Sequence, residues 1–289
     1  MSLANEQINE LKELEEIIRT HVDDKWQGRL LASMCVGSHA YGTNVPSSDI
    51  DMRAIHSVHI KHLLTVNPMT PQSNSATVEI RSHENKEIDI NSTEIGKFCS
   101  LCLKCNPSVL EMLYMPDKMI LNTSDIFENL RHNREKFITK KQMTAAYVGY
   151  ATAQAERFLK PIFHVYRLDK MKVDLFKPDS LEAMWDGLLT KDTSVTYDCK
   201  NAMHCVRLLL CVKYALKEGK LLVHMGEFEY IPLLKQIRNN ELSLYEIINE
   251  IHYQAQQVRA LEQSSKLPEQ ADDDFIDNML YEFRIKEVL

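Results

Sequence analysis

The sequence predicts an α+β protein: a small mixed β-sheet with flanking helices, followed by an all-helical domain. Three observations carry this reading. Short apolar or alternating runs of β type fall before residue 92. After it, apolar residues recur almost only at helical spacing. Glycine is scarce, 8 of 289 residues, which suits a helix-rich chain. At roughly 150 residues per domain the length suggests one large or two modest domains. The change of pattern gives two, at about 1–135 and 136–289. No segment repeats and none is of low complexity.

The elements follow in order. Ala4 to Val22 is an amphipathic helix, with Ile8, Leu11, Leu14, Ile18 and Val22 on one face. Arg29 to Val36, "RLLASMCV", is a buried strand that stops at Gly37. Asp49 to Ile55, "DIDMRAI", alternates as a second strand should. Thr77–Ile80 and Lys86–Asn91 are the arms of a hairpin joined by "RSHEN", and "NPMTPQSN" is a loop. Thr93 to Lys104 is a helix with Ser92 as its expected cap. Pro107 suits the first position of the next helix. Helical spacing then covers Ser124–Phe137, Thr139–Leu159, Ser180–Leu189, Tyr197–Glu218, Tyr230–Asn239, Ser243–Ser264 and about Asp273–Val288.

Composition limits the function classes. With 44% hydrophobic residues the chain can bury a core, and at net charge -7 it has no general attraction for polyanions. Any nucleic-acid contact must come from a local basic patch. No apolar run approaches the ~20 residues of a membrane span, so no membrane partner is expected. Met1 to Glu16 is polar and acidic, unlike a secretory signal. The seven cysteines are therefore expected to be reduced thiols in a cytoplasmic protein.

The chemistry concentrates in residues 36–53, "VGSHAYGTNVPSSDIDMR". On a strand, Asp49 and Asp51 share one face and Ile50 points into the core. Two like charges on one face call for a hard divalent cation, and Mg²⁺ prefers carboxylate oxygens. "EIDIN" offers Asp89 as a third carboxylate, between core residues Ile88 and Ile90, with Glu87 as the fallback. Gly37 lets the backbone approach a bulky anion, and backbone N–H groups with the Ser38 hydroxyl can hold terminal phosphates. Phosphate donors beside metal ligands are what phosphoryl or nucleotidyl transfer requires. Further along, Lys200, His204, Arg207 and Cys211 form a polar stripe on an apolar helix, suited to facing a triphosphate. Arg157 and Lys160 could line the same cleft.

"GSHAYGTNVPSSDID" resembles the signature of the DNA polymerase beta nucleotidyltransferase superfamily: Gly-Ser, about ten residues, then Asp-x-Asp, with a third acid on a later strand. Gly37, Ser38, Asp49 and Asp51 match directly, and Asp89 matches by its strand. The similarity is greatest to a branch of predicted nucleotidyltransferases. "NPSVLEMLY" (Asn106 to Tyr114) and "DCKNAMHCVRLLL" (Asp198 to Leu210) extend it over most of the chain. The resemblance implies a sheet with flanking helices and two Mg²⁺ ions, with Mn²⁺ as a substitute. It implies an NTP substrate such as ATP, and an acceptor hydroxyl that displaces pyrophosphate. Asp49 and Asp51 would hold both metals, and Asp89 the catalytic one while helping to activate the acceptor. Lys200, His204 and Arg207, with Gly37 and Ser38, would bind the nucleotide. An RNA end, a protein and a small molecule all remain open as acceptors. The alternative is a non-catalytic module binding nucleotide or a partner on the same fold. All three acids are present, which argues against lost activity.

Other features have plainer readings. Cys99, Cys102 and Cys105 fall on an apolar helix without a second Cys pair, so buried thiols are expected rather than a zinc site. "RHNREKFITKK" could touch a nucleic-acid backbone or form a solvated face. The acids of "EQADDDFID" suit a helix N-terminus. His39 could contact substrate or its own loop.

Overall fold

The computed structural model describes residues 5–45, 48–83, 86–166, 173–176, 197–227 and 229–287; within these, the side chains of residues 5, 82–83, 86–88, 162–166 and 227 are not described. The expected helix over Ser180–Leu189 lies outside the described residues. The chain forms two compact units, 1–138 with 270–289, and 139–269.

The first unit opens with α1 (Asn5–Trp26), whose Leu11, Leu14, Ile18 and Val22 are all buried. β1 (Leu30–Val36) is buried at every position, so it sits inside the sheet rather than at its edge. α2 (Gly37–Tyr41) follows at once and ends on Gly42, whose positive φ of 77° closes the turn. β2 (Asp51–His56) pairs antiparallel with β1, Val36 opposite Asp51. β3 (Thr77–His83) and β4 (Lys86–Glu94) form the hairpin. Its arms are longer than the sequence suggested, since Ser82 pairs with Glu87 and His83 with Lys86. The polar "RSH" is strand, because these residues continue the antiparallel ladder.

β2 and β4 run parallel, with Met52 opposite Ile90 and Arg53 opposite Asn91. The strand order is β3-β4-β2-β1-β5, where β5 (Ile120–Asn122) is a short strand with no clear signature in the sequence. α1 packs on β1, β2 and β4. Ser33 of β1 donates to Glu15 of α1 at 2.6 Å.

Ser92 does not cap a helix. β4 runs on to Glu94, and Ser92 Oγ lies 2.8 Å from His56 Nδ1 inside the sheet. Glu94 instead caps α3 (Ile95–Leu103), accepting from the backbone N–H groups of Gly96 and Lys97. A longer side chain can do this from the end of a strand, where the backbone is already extended. α4 (Pro107–Leu110) begins on its proline as expected, and α5 (Asp125–His132) lies near β1.

The last helix belongs with the first unit, unlike the division read from the sequence. Helix Asp273–Lys286 packs against α3, and its Arg284 meets Glu94 at 2.9 Å. Glu94 is buried, so a guanidinium from this helix offsets its desolvation.

The second unit is helical among its described residues. It contains α6 (Lys140–Tyr166), α7 (Cys199–Glu218), α8 (Tyr230–Arg238) and α9 (Leu244–Ser264). Helices α6, α8 and α9 all pack on α7. α7 is accordingly buried along most of its length, from Ala202 to Leu216. A capping box between Ser243 and Glu246 starts α9. The helix Asp273–Lys286 is α10 in chain order, and Asp272 caps it by accepting from Phe275. No helix among the described residues is long and apolar enough to cross a membrane.

Candidate active site

Two adjoining clefts of the first unit share Asp51, Arg81 and Asp89. One also holds Gly37, Tyr41, Arg53 and Glu111. The other holds Asp49 with Glu6 and Glu10 of α1. Asp51 and Asp89 come together through the parallel register: each stands one residue before the Met52–Ile90 pair, on neighbouring strands. Side chains in register share a face. A shift in the β3–β4 pairing between Ile80 and Ser82 falls beside Asp89. Such irregularities re-aim side chains next to functional sites.

Asp49 arrives differently from the expectation. β2 starts at Asp51, so Asp49 precedes the strand. Ile50 is half-buried and lines the cleft rather than the core, which corrects the strict alternation assumed for "DID". Asp49 still borders the same cleft as Asp51 and Asp89.

Gly37 has φ +69°, and a Cβ placed on it would stand 2.3 Å from Asp51 Oδ2. The glycine therefore makes room for a carboxylate of its own chain as well as for a helix turn. Burial first, then the Asp51 charge, pushes the thiol of Cys35 up to about 12, so it stays neutral. Ser38 is half-buried on α2, where its carbonyl accepts from Thr43 N–H at 3.0 Å. His39 is buried, with Nε2 3.5 Å from the Ser48 carbonyl, so it serves its loop.

Arg81 donates to Asp89 Oδ1 at 2.5 Å and to Glu79 at 3.3 Å. Asn91, on the same β4 face, donates to Glu79 at 3.3 Å. Tyr41 donates to the buried Glu111 at 2.7 Å. Sequence reasoning missed Arg53, Arg81, Tyr41 and Glu111 as cleft residues. Arg53 had a signal, its even spacing from Asp51 on one strand. Arg81 lay inside a supposed turn. The side chain of Glu87, the fallback acid, is outside the described residues.

The donor set suits hard cations: carboxylate oxygens, a half-exposed Asp51, and exposed Asp49 and Asp89. Among the described residues no three acid, His or Cys side chains already stand as a finished metal cluster. Arg81 engages Asp89 through Oδ1 alone.

Lys200, His204 and Arg207 are gathered on α7 of the second unit. Lys200 is exposed and Arg207 is buried, with Nη1 3.7 Å from Cys211 Sγ. Burial, then the charges of Arg207 and Lys200, hold the His204 imidazole down to about 3. It is neutral at ordinary pH and adds no charge to the stripe. Arg157 and Lys160 are exposed on α6. Cys99, Cys102 and Cys105 are buried free thiols, as expected. The basic run is engaged internally: Arg131 pairs with Asp117 and Glu128, Lys136 with Asp272, and Lys140 with Glu269.

The model of a family described as the RNA repair pathway DNA polymerase beta family matches residues 5–284. The chain belongs to this family. The family is of the DNA polymerase beta class, the class that the resemblance implied. An uncharacterized 38.9 kDa protein from the nrdC-mobD intergenic region of Enterobacteria phage T4 is 27% identical over 124 residues, 42% of this chain and 36% of that protein. The chain thus matches about a third of that relative's length. The crystal structure of a nucleotidyltransferase-like protein from Exiguobacterium sibiricum aligns over 86% of this chain and 73% of its own, at 9% identity and a TM-score of 0.32.

Proposed function

We propose that this protein transfers a nucleoside monophosphate from an NTP to a hydroxyl acceptor, with two Mg²⁺ ions held by Asp49, Asp51 and Asp89. The observation that carries this reading is the meeting of Gly37 and all three carboxylates at adjoining clefts of one unit. When bound, the cations would neutralise triphosphate charge and favour attack at the α-phosphorus. The acceptor oxygen bonds to that phosphorus, and the α–β bridging bond breaks with its electrons leaving on pyrophosphate. The hydroxyl proton passes to the Asp89 carboxylate, whose pairing with Arg81 engages Oδ1. Gly37 and Ser38 hold the terminal phosphates at the turn into α2. Within the second unit, the resemblance supports nucleotide binding by Lys200, which is exposed, and by His204 and Arg207. The family description names RNA repair, which supports an RNA end as the acceptor.

Asp51→Asn removes one negative charge at nearly constant shape. It is expected to abolish transfer of labelled nucleotide to RNA while melting like wild type. Undiminished transfer by this variant would sink the two-metal reading.

A further inference from the structure

Arg53 stands apart from the other arginines of the first unit. Arg19, Arg29, Arg81, Arg131, Arg134 and Arg284 each hold a carboxylate within 4.0 Å. Arg53 is half-buried and lines the cleft with Gly37, Asp51 and Asp89, yet has no hydrogen-bond, ion-pair or ring partner among the described residues. It lies two residues after Asp51 on β2, so the two share a face of the sheet. Across the parallel register it faces Asn91, and across the antiparallel one Met34, which is buried. Its immediate cross-strand neighbours thus include no acid.

A guanidinium keeps its charge at any pH of interest. Half-buried and without a direct ion pair, it bears a desolvation cost offset only through space by the cleft's carboxylates. The other arginine of the cleft, Arg81, is already committed to Asp89 and Glu79. An anion entering this cleft meets the carboxylates of Asp51, Asp89 and Glu111 and one uncommitted planar fork, whose geometry fits a phosphate through two parallel N–H bonds.

We propose that Arg53 is a substrate-phosphate-binding residue of this cleft. This inference rests on the proposed transfer only for the identity of the substrates. A phosphate could come from the nucleotide or from an RNA acceptor, and the test separates these sources. Binding of Mg²⁺-ATP, inorganic tripolyphosphate and a short 5′-phosphorylated RNA is measured by calorimetry on the full chain for wild type, Arg53→Lys and Arg53→Ala.

Loss of one charged, bidentate contact weakens binding by about 10- to 100-fold. The expected result for Arg53→Ala is such a loss for ATP and tripolyphosphate together if the nucleotide supplies the phosphate, or for RNA alone if the acceptor does. Arg53→Lys restores part of it, because charge returns without the fork. A melting curve like that of wild type excludes misfolding, and should the alanine variant melt early, the lysine variant carries the test. Wild-type affinity of the folded alanine variant for all three probes overturns the inference. Failure of the catalytic reading shows separately, as transfer that survives Asp51→Asn.

Discussion

Gly37→Ala tests how the site is assembled. The backbone there has φ +69°, a conformation that costs an L-residue about 1–2 kcal/mol. For a unit of this size, each kcal/mol moves the melting temperature by roughly 2–4 °C, so a drop of about 2–8 °C is expected. The added methyl would also stand 2.3 Å from Asp51 Oδ2, 3.3 Å from its Cγ and 3.6 Å from its Cβ. Only the oxygen is intolerably close, and it ends a side chain that can rotate. Packing is therefore relieved cheaply, by moving the carboxylate roughly 1 Å. A reacting constellation does not tolerate that shift, and a misplacement of ~1 Å can cost about 100-fold in rate. The expected signature is asymmetric: a modest loss in thermal melting and about a 100-fold loss in labelled-nucleotide transfer. A variant that melts early but transfers at the wild-type rate would refute the argument, because the position of Asp51 against Gly37 would then not matter.

Two further predictions concern stability. His56 is fully buried beside Ser92, and burial, with His21 second, lowers its pKa from 6.5 to about 4. The unfolded state then binds more protons between those values. Stability is full above pH 6.5 and falls as pH drops toward 4, by about 3 kcal/mol in the limit; urea midpoints across this range should show a shallower slope in His56→Gln, and an unchanged slope would remove His56 as the cause. Arg284→Ala leaves the Glu94 carboxylate, 3% exposed, without its guanidinium. A cost of about 3 kcal/mol is expected, seen as a melting temperature lower by roughly 6–12 °C, and wild-type melting would show that the two backbone N–H groups on Glu94 suffice.

Much of the fold was legible in the sequence because local signals and tertiary demands agreed. The stop of "RLLASMCV" at a glycine and the proline opening α4 are local signals that need no distant partner. The misreadings arose where a distant partner decided. Ser92 had a capping residue's chemistry, but the sheet took it for His56 while Glu94 took the cap. The final helix looked like the end of a helical domain, but Arg284 ties it to Glu94 on β4.

The carboxylates of the candidate site divide in the same way. The spacing of Gly37, Asp49 and Asp51 is a local matter, and sequence alone determined it. Whether Asp89 or Glu87 would be the third acid was open from sequence, since the two have the same parity. The parallel β2–β4 register and the shifted pairing beside Asp89 bring it next to Asp51. The state of each charge was also beyond the sequence. Arg81 is held by two acids, Arg53 by none among the described residues, and His204 is neutral inside a stripe that reads as cationic. The physical reason is that residue type sets what a group can bind. Burial and the nearest opposite charge set whether it is charged and available, and both depend on strands and helices far apart in the chain.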